Sequence, residues 1–405
     1  MKQIFKMAFR DLGRNRRRSL LSSLALGVGL ALLLLMASFV NGEMNSTLDT
    51  TIRLQSGHLQ IRAQTYDETK SSLKWGDLVE NPEQLVEQIA SLNQVKAATP
   101  RLYASGIVSS MNKSSGVRVF GIDPLSPANA PYSEGVISGD FLSPDDRQGI
   151  VIGRPLAEKL DLQTGDQVQL SVNTSNGDVD EQSFTIRGIY STETFGFDSA
   201  TVFLPLGKAQ AMSQTENHAS AIFILLNDRE QTEPVAAAIQ TTQYKVQTWV
   251  EMNELIIQTK ELSNAYMSLL YLIVLGITAT VIVNTLVMAV YERTREIGIL
   301  SAIGMKSGKI MALFLAESSF LAIGGIIMGL ILGSLAVAYL AKYGFYIGNM
   351  GITGLLMENR IYAELTLDDT LNLSLIALII TVLAGLYPAV LATRLEPVDA
   401  LRAGQ

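Results

Sequence analysis

Four stretches of this chain run for twenty residues or more with almost no charge, each long enough to cross a bilayer as a helix. The first is Ser19–Val40, 22 residues. The second lies between Glu261 and Glu292 and has 30 residues without a charge. The third lies between Lys309 and Lys342 and holds one ionisable residue, Glu317. The fourth runs from Leu373 to Thr393, with Pro388 inside it. A soluble chain of 405 residues has too little other structure to bury four such helices. The first run is longer than the ~7–15 apolar residues of a signal peptide. Met36 to Asn41 also offers no small-residue cleavage site, so the run reads as a retained anchor.

Charge sets the orientation. Lys2, Lys6, Arg10, Arg14, Arg16, Arg17 and Arg18 precede the first span, against Asp11 alone. Arg293, Arg295, Lys306 and Lys309 lie between spans two and three, and Arg394 and Arg402 follow span four. The positive-inside rule then places both termini and the 292–308 segment in the cytoplasm. The spans expected are 19–41, 262–291, 309–341 and 373–393. The segments 1–18 and 394–405 are cytoplasmic, and 342–372 is a second outer loop.

Residues 42–261 fall outside. They carry 16 Lys/Arg and 28 Asp/Glu, so this is an acidic soluble domain. The whole chain has a net charge of −7, which argues against a nucleic-acid partner. Residues 57–62 alternate like a strand, and Asn81-Pro82-Glu83 opens a helix with proline at its first position. Residues 106–111 and 117–122 read as strands. A second strand–helix–strand run follows at 221–226, 229–240 and 244–250. The expected architecture is therefore an α-helical membrane protein with four transmembrane helices. A large α+β extracytoplasmic domain is inserted between the first and second. Its core comes from 42–111 and 217–261, with a β-rich subdomain, 112–216, inserted into it. Gly165-Asp166 marks a hairpin or turn. The helix-prone stretch 251–261 runs straight into span two, a physical route for motion between the two sides.

Few residues carry chemistry. Cysteine is absent, which excludes disulfides and thiolate metal sites, and His58 and His218 stand far apart. No metal site is expected, and both histidines read as ordinary strand or turn residues. The acidic pairs Asp67-Glu68 and Asp145-Asp146 read as solvated loop charges. The nearest approach to a P-loop, Gly304 to Ile310, has one residue too few between its glycines. Ile310 also stands where the Mg²⁺-binding hydroxyl belongs. The chain is therefore expected to have no catalytic residues, no cofactor and no enzyme activity of its own.

The segment from Tyr291 to Met305 is the most informative. A charged turn leads into Ile297, Leu300 and Ile303–Gly304 at helical spacing, an amphipathic helix across the end of a span. It caps the bundle or docks on a soluble partner. Gly325, Gly329 and Gly333 repeat every four residues in span three and allow close helix packing, within the chain or with a second copy. Glu317 lies nearer one end of its span than the midplane. It reads as a paired structural carboxylate, with a proton relay as the alternative.

The segment Glu292-Arg293-Thr294-Arg295-Glu296-Ile297-Gly298-Ile299-Leu300-Ser301-Ala302-Ile303-Gly304 resembles the loop after the second span of the FtsX-like/MacB-type ABC transporter permeases. Glu317, Gly324-Gly325 and Gly329 are similar to their third span. Tyr387-Pro388-Ala389, Ala392, Arg394 and Glu396 to Arg402 resemble their C-terminal signature, and Ala8 to Leu12 with the Arg14–Arg18 cluster fits their start. One span, a large outer domain and three more spans is also their order. The resemblance covers essentially the whole chain and leans toward the Lol-type, lipoprotein-releasing branch, whose ATP-binding subunit is a separate chain.

That resemblance implies a mechanotransmission transporter in a bacterial inner membrane. A partner ABC-type subunit would bind ATP and Mg²⁺. A second permease protomer would complete a homodimer or heterodimer, and a periplasmic carrier or adaptor could take the substrate. Coupling to the ATP-binding subunit would fall to Glu292, Arg293, Arg295, Glu296, Ile297, Gly298, Leu300 and Gly304. The cargo would be a hydrophobic or lipidated molecule, such as a lipoprotein. A transmitter that regulates a periplasmic enzyme is the competing function, and a proton-coupled carrier using Glu317 a third.

Overall fold

The computed structural model describes residues 2–14, 16–67, 72–239, 243–348 and 356–394. Among these, nine helices have eight residues or more. They are α1 (Lys2–Arg14), α2 (Arg16–Thr51), α3 (Pro82–Ala90), α4 (Leu206–Ser213), α5 (Thr232–Ile239), α6 (Glu254–Glu292), α7 (Thr294–Ala302), α8 (Ser307–Tyr343) and α9 (Leu367–Thr393). The chain divides into two compact units. One is Met1–Glu43 with Lys260–Phe345 and Ile361–Gln405, and the other is Met44–Thr259 with Tyr346–Arg360.

The first unit is helical. α2, α6, α8 and α9 are each long and apolar enough to cross a membrane. All four outrun the uncharged stretches that identified them, because polar residues at their ends continue the helix. α9 starts six residues early at Leu367, where Thr366 caps it by accepting from the Asp369 N–H. α6 begins at Glu254 and continues unbroken to Glu292. The core of the bundle is aliphatic: Leu26, Leu30, Leu33 and Leu34 from α2, Leu275, Ile282 and Leu286 from α6, Leu321 and Ala322 from α8, and Leu373 and Ala377 from α9. The small-residue stripe of α8 faces α2 of the same chain. A Cβ on Gly325 would stand 2.7–2.9 Å from Leu26, and one on Gly329 would meet Leu30 and the Gly27 carbonyl at 2.9 Å. A Cβ on Gly333 would meet Leu34 at 3.0 Å. Only glycine permits this approach.

The second unit is built on one ten-stranded sheet. Its strands are β1 (Leu59–Ala63), β2 (Val95–Ser110), β3 (Lys113–Ile122), β4 (Val136–Gly139), β5 (Gly149–Gly153), β6 (Gln167–Asn173), β7 (Val179–Tyr190), β8 (Thr201–Pro205), β9 (Ala221–Leu226) and β10 (Tyr244–Thr248). At one end the order is β10-β1-β9-β2, all antiparallel. The units β1–α3–β2 and β9–α5–β10 thus interlock, each pair of strands flanking a strand of the other, a split β-α-β arrangement. Leu59, Ile61, Ile222 and Ile224 pack there against Ile89 of α3 and Val235 and Ile239 of α5.

At the other end the pairing closes on itself. β2 pairs β3, β3 pairs β8, β8 pairs β5, β5 pairs β7, β7 pairs β6, and β6 returns to β2. Closure removes open edges from this six-stranded ring. Alternate residues fill it: Ala104 and Val108, Val117 and Val119, Ile150 and Ile152, Val168, Leu170 and Val172, Phe184 and Ile186, Val202 and Leu204. Outward residues of the same strands, Phe120, Val151, Tyr190 and Phe203, join Tyr132 and Phe197 in a second, aromatic cluster.

The boundary expected between residues 111 and 112 falls at the tip of the β2–β3 hairpin. Met111 takes a left-handed φ of 47° there. β2 runs through both regions, pairing β9 over 95–101 and β3 over 102–110. The 112–216 segment therefore shares a strand with the rest of the sheet. Gly165, at φ 96°, makes a turn between the helix Arg154–Leu160 and β6 and closes no hairpin.

Candidate functional site

The residues assigned to coupling, together with Glu317, gather at the end of the helical unit where α6 stops and α8 starts. α6 ends at Glu292 because Arg293, at φ −108° and ψ 15°, leaves helical geometry. α7 follows at once, and Gly304 (φ 93°) turns the chain toward α8 with open space around it. That φ favours glycine.

Arg293 is the centre of this end. Its Nη1 lies 2.8 Å from Glu317 Oε1 and 3.1 Å from Asp11 Oδ2, and its Nη2 donates to the Asp11 carbonyl at 3.2 Å. The Arg293 and Glu317 side chains are 6% and 4% exposed. Burial of either charge alone would be costly, and mutual pairing with hydrogen bonds offsets it. One guanidinium thus joins α1, the α6–α7 corner and α8. Two outer pairs reinforce it: Arg18 Nη1 to Glu292 Oε2 at 2.7 Å, and Arg14 Nη1 to Glu296 Oε1 at 2.9 Å. Both pairs reach solvent and contribute little each.

α7 has two faces. Ile297 and Gly298 are buried, Ile297 among Val290, Ile310, Phe314, Ala389 and Ala392. Leu300 is half-buried, while Arg295, Glu296, Ile299 and Ile303 face outward. Ile299 is 42% exposed and Ile303 80%. Of the residues assigned to coupling, Arg293, Ile297 and Gly298 thus pack into their own bundle. Arg295 and Gly304 are exposed, and Glu292 and Glu296 are exposed but tied to Arg18 and Arg14. Sequence reasoning passed over Ile299, an exposed apolar residue on the outer face of α7. The i, i+4 spacing of Arg295, Ile299 and Ile303 was the signal for it.

The remaining candidates are unremarkable in chemistry. His58 Nδ1 accepts from the Leu226 N–H at 3.0 Å, and burial, helped by Arg229, holds its pKa below the ordinary histidine range. His218 Nδ1 lies 2.7 Å from the Glu216 carbonyl. Asp146 accepts from the Gln148 and Gly149 N–H groups and pairs with Arg187 at 2.8 Å. Glu68 and the Glu396–Arg402 signature lie outside the described residues. Among the described residues, no group of three metal-ligating side chains occurs.

Two family models match the chain. A MacB-like periplasmic core domain covers residues 19–242, and an FtsX-like permease C-terminal domain covers residues 268–397. The chain is 23% identical to the lipoprotein-releasing system transmembrane protein LolC of Neisseria meningitidis, over 76% of this chain and 78% of that protein. It is 22% identical to LolE of Haemophilus influenzae, over 94% of this chain and 93% of that protein. Against the macrolide export ATP-binding/permease protein MacB of a Shewanella strain it is 24% identical, over 98% of this chain and 60% of that protein. Among solved structures, the periplasmic region of MacB from Actinobacillus actinomycetemcomitans aligns at a TM-score of 0.35 and 15% identity, covering 53% of this chain and 97% of that one.

Proposed function

The chain belongs to the ABC transporter permeases of the Lol/MacB type, with a MacB-like periplasmic core and an FtsX-like C-terminal part, and from that we propose how it works. It is the membrane subunit of a mechanotransmission transporter. A separate ATP-binding subunit docks on the exposed face of α7, whose other face is locked into the bundle. Closure of the ATP-binding subunits pushes α7. The push passes to α6, a single helix from Glu292 back to Glu254, and so toward the α/β unit.

The observation that carries this reading is the division of α7. Ile297 and Gly298 anchor it, and Arg295, Ile299 and Ile303 are left for a partner. A helix held on one side transmits force, whereas a loosely tethered one would absorb it. The Arg293–Glu317–Asp11 group makes the corner stiff. Glu317 acts here as a structural carboxylate and relays no proton.

The α/β unit lies on the periplasmic side of the inner membrane, with both termini cytoplasmic, as the basic N-terminal segment favours. The cargo is a lipidated protein, a reading that similarity to the lipoprotein-releasing system proteins LolC and LolE supports. A second permease protomer and a periplasmic carrier complete the system. The test is purification of the tagged chain from native membranes, with mass spectrometry of proteins and lipids. An ATP-binding subunit with lipidated proteins is the expected result. An ATP-binding subunit with a soluble hydrolase and no lipidated cargo would replace transport by regulation. No ATP-binding subunit at all would contradict the docking role of α7.

A further inference from the structure

In the α/β unit, a hollow of about 100 Å³ opens beside the outer face of the strand ring. It is lined by Arg62 of β1, Tyr66 just after it, Tyr103 and Ala104 of β2, Arg118 and Phe120 of β3, and Gln55. Its chemistry is unusual for a crevice in an acidic domain. Two guanidinium groups and two phenols line it, and among the described residues no carboxylate does.

Arg118 is the informative member. Its one hydrogen bond among the described residues is long, 3.4 Å from Nη2 to Thr201 Oγ1, and it forms no ion pair. Its guanidinium lies 5.9 Å from the Phe120 ring centroid and 5.8 Å from that of Phe197. A guanidinium has five N–H donors in a planar fork. Aromatic faces satisfy its charge in part but leave those donors unused. Burial lowers the Arg118 pKa, and only the tyrosines Tyr190, Tyr132 and Tyr103 oppose that. The Tyr103 hydroxyl is also shut off from solvent and has no hydrogen-bond partner among the described residues. Buried polar groups without partners are rare in folded proteins, and each calls for an explanation. Arg62 borders the same hollow, its Nε donating to Gln60 Oε1 at 2.8 Å and its guanidinium 5.0 Å from the centroid of the Tyr66 ring.

We propose that this hollow is a binding site for a small oxyanion, a carboxylate or a phosphate. The anion accepts from the Arg118 fork and from the Tyr103 hydroxyl, with Arg62 supplying further positive charge. One ligand would then answer the buried Tyr103 hydroxyl and the Arg118 donors that Thr201 leaves unused. It would also bridge β1 of the split β-α-β part to β3 of the ring. The planar guanidinium matches a carboxylate edge as well as a phosphate. The volume admits a small headgroup or a side-chain-sized acid and excludes a bulky ligand.

The test is the thermal stability of the full-length chain in detergent, titrated with sodium acetate or sodium phosphate against sodium chloride at matched ionic strength. A saturable rise in melting temperature with either anion, absent with chloride, is expected. Acetate alone would identify the ligand as a carboxylate, and phosphate alone as a phosphate group. Arg118→Gln should weaken the apparent affinity by about tenfold or more, the loss expected for a charge-assisted hydrogen bond. Tyr103→Phe keeps the ring and removes only the hydroxyl, and should weaken it severalfold. That variant decides the matter if Arg118→Gln does not fold. No saturable response to either anion, or a response that Tyr103→Phe leaves unchanged, would overturn the site.

Discussion

Arg293 and Glu317 meet at 2.8 Å, Nη1 to Oε1, 24 residues apart in sequence and with both side chains almost wholly out of water. The pair closes the corner between α6 and α8 at the end where α7 sits. Asp11 approaches the same guanidinium at 3.1 Å, so the N-terminal helix is fixed there too. A guanidinium that holds three elements together explains why a charged residue survives at the end of an apolar bundle.

Replacing Glu317 by Leu should therefore cost about 3–5 kcal/mol of stability, since it leaves Arg293 buried with Asp11 alone. Adding Arg293→Met to Glu317→Leu should recover part of the loss, because the unpaired buried charge is then gone. Thermal unfolding in detergent of both single variants and the double variant gives the coupling. Additive losses would mean that the two residues act independently.

The α8 stripe offers a second handle. Gly329→Ile should drive a side chain into Leu30 and the Gly27 carbonyl, where a Cβ already stands at 2.9 Å. Overpacking of this kind costs about 1–3 kcal/mol. Gly276→Ala, where an added Cβ meets nothing, is the control. A melting temperature equal for Gly329→Ile and the control would show that α2 and α8 do not pack through this stripe.

Asp198 gives the α/β unit a pH signature. Burial pushes its pKa up to about 6, although Thr192 and Ser191 donate to the carboxylate. The folded state thus holds a proton that the unfolded chain releases near pH 4. The contribution is fully present below about pH 4 and is lost as pH rises through about 6, a change of up to about 3 kcal/mol. Asp198→Asn should flatten the stability profile of that unit between those values. An unchanged slope in the variant would assign the pH dependence to other groups.

The buried Arg101 has no carboxylate partner in its hydrogen bonds. It donates to the Leu54 and Ala128 carbonyls and to Asn129 Oδ1, with its guanidinium 3.4 Å from the centroid of the Phe223 ring. Arg101→Met should strand those acceptors and cost about 3 kcal/mol or more, at ~1–3 kcal/mol for each unsatisfied buried group. Chemical denaturation of the full chain measures it. A loss under ~1 kcal/mol would mean that water replaces the guanidinium there.

The membrane helices were legible in the sequence because lipid excludes charge, and charge is countable residue by residue. Their ends were less so, since polar turns such as Thr366–Asp369 extend a helix without extending its apolar run. The glycine stripe announced close packing, but only the fold identifies Leu26, Leu30 and Leu34 of α2 as its partners. In α7 the periodicity was visible and the assignment of its faces was not. Ile297 turns inward because Ala389 and Ala392 of α9 wait there, some ninety residues later. The burial of Arg293 depends on partners 24 and 282 residues away. The closed ring was hidden for the same reason: β2 pairs with β6, and alternation within a strand says nothing about which strand lies beside it.

Because Gly298 is buried, Gly298→Leu would not isolate the coupling role of α7. A leucine at a buried position crowds the bundle, so that variant should lower stability and blur any effect on coupling. The direct measurement uses the exposed face instead. Ile299→Asp/Ile303→Asp places two charges where an apolar partner surface would sit and leaves the bundle core untouched. The melting temperature of the permease should be unchanged. The double variant should no longer stimulate ATP hydrolysis by the ATP-binding subunit that co-purifies with the unaltered chain. Full stimulation by the double variant would contradict the docking of that subunit on α7.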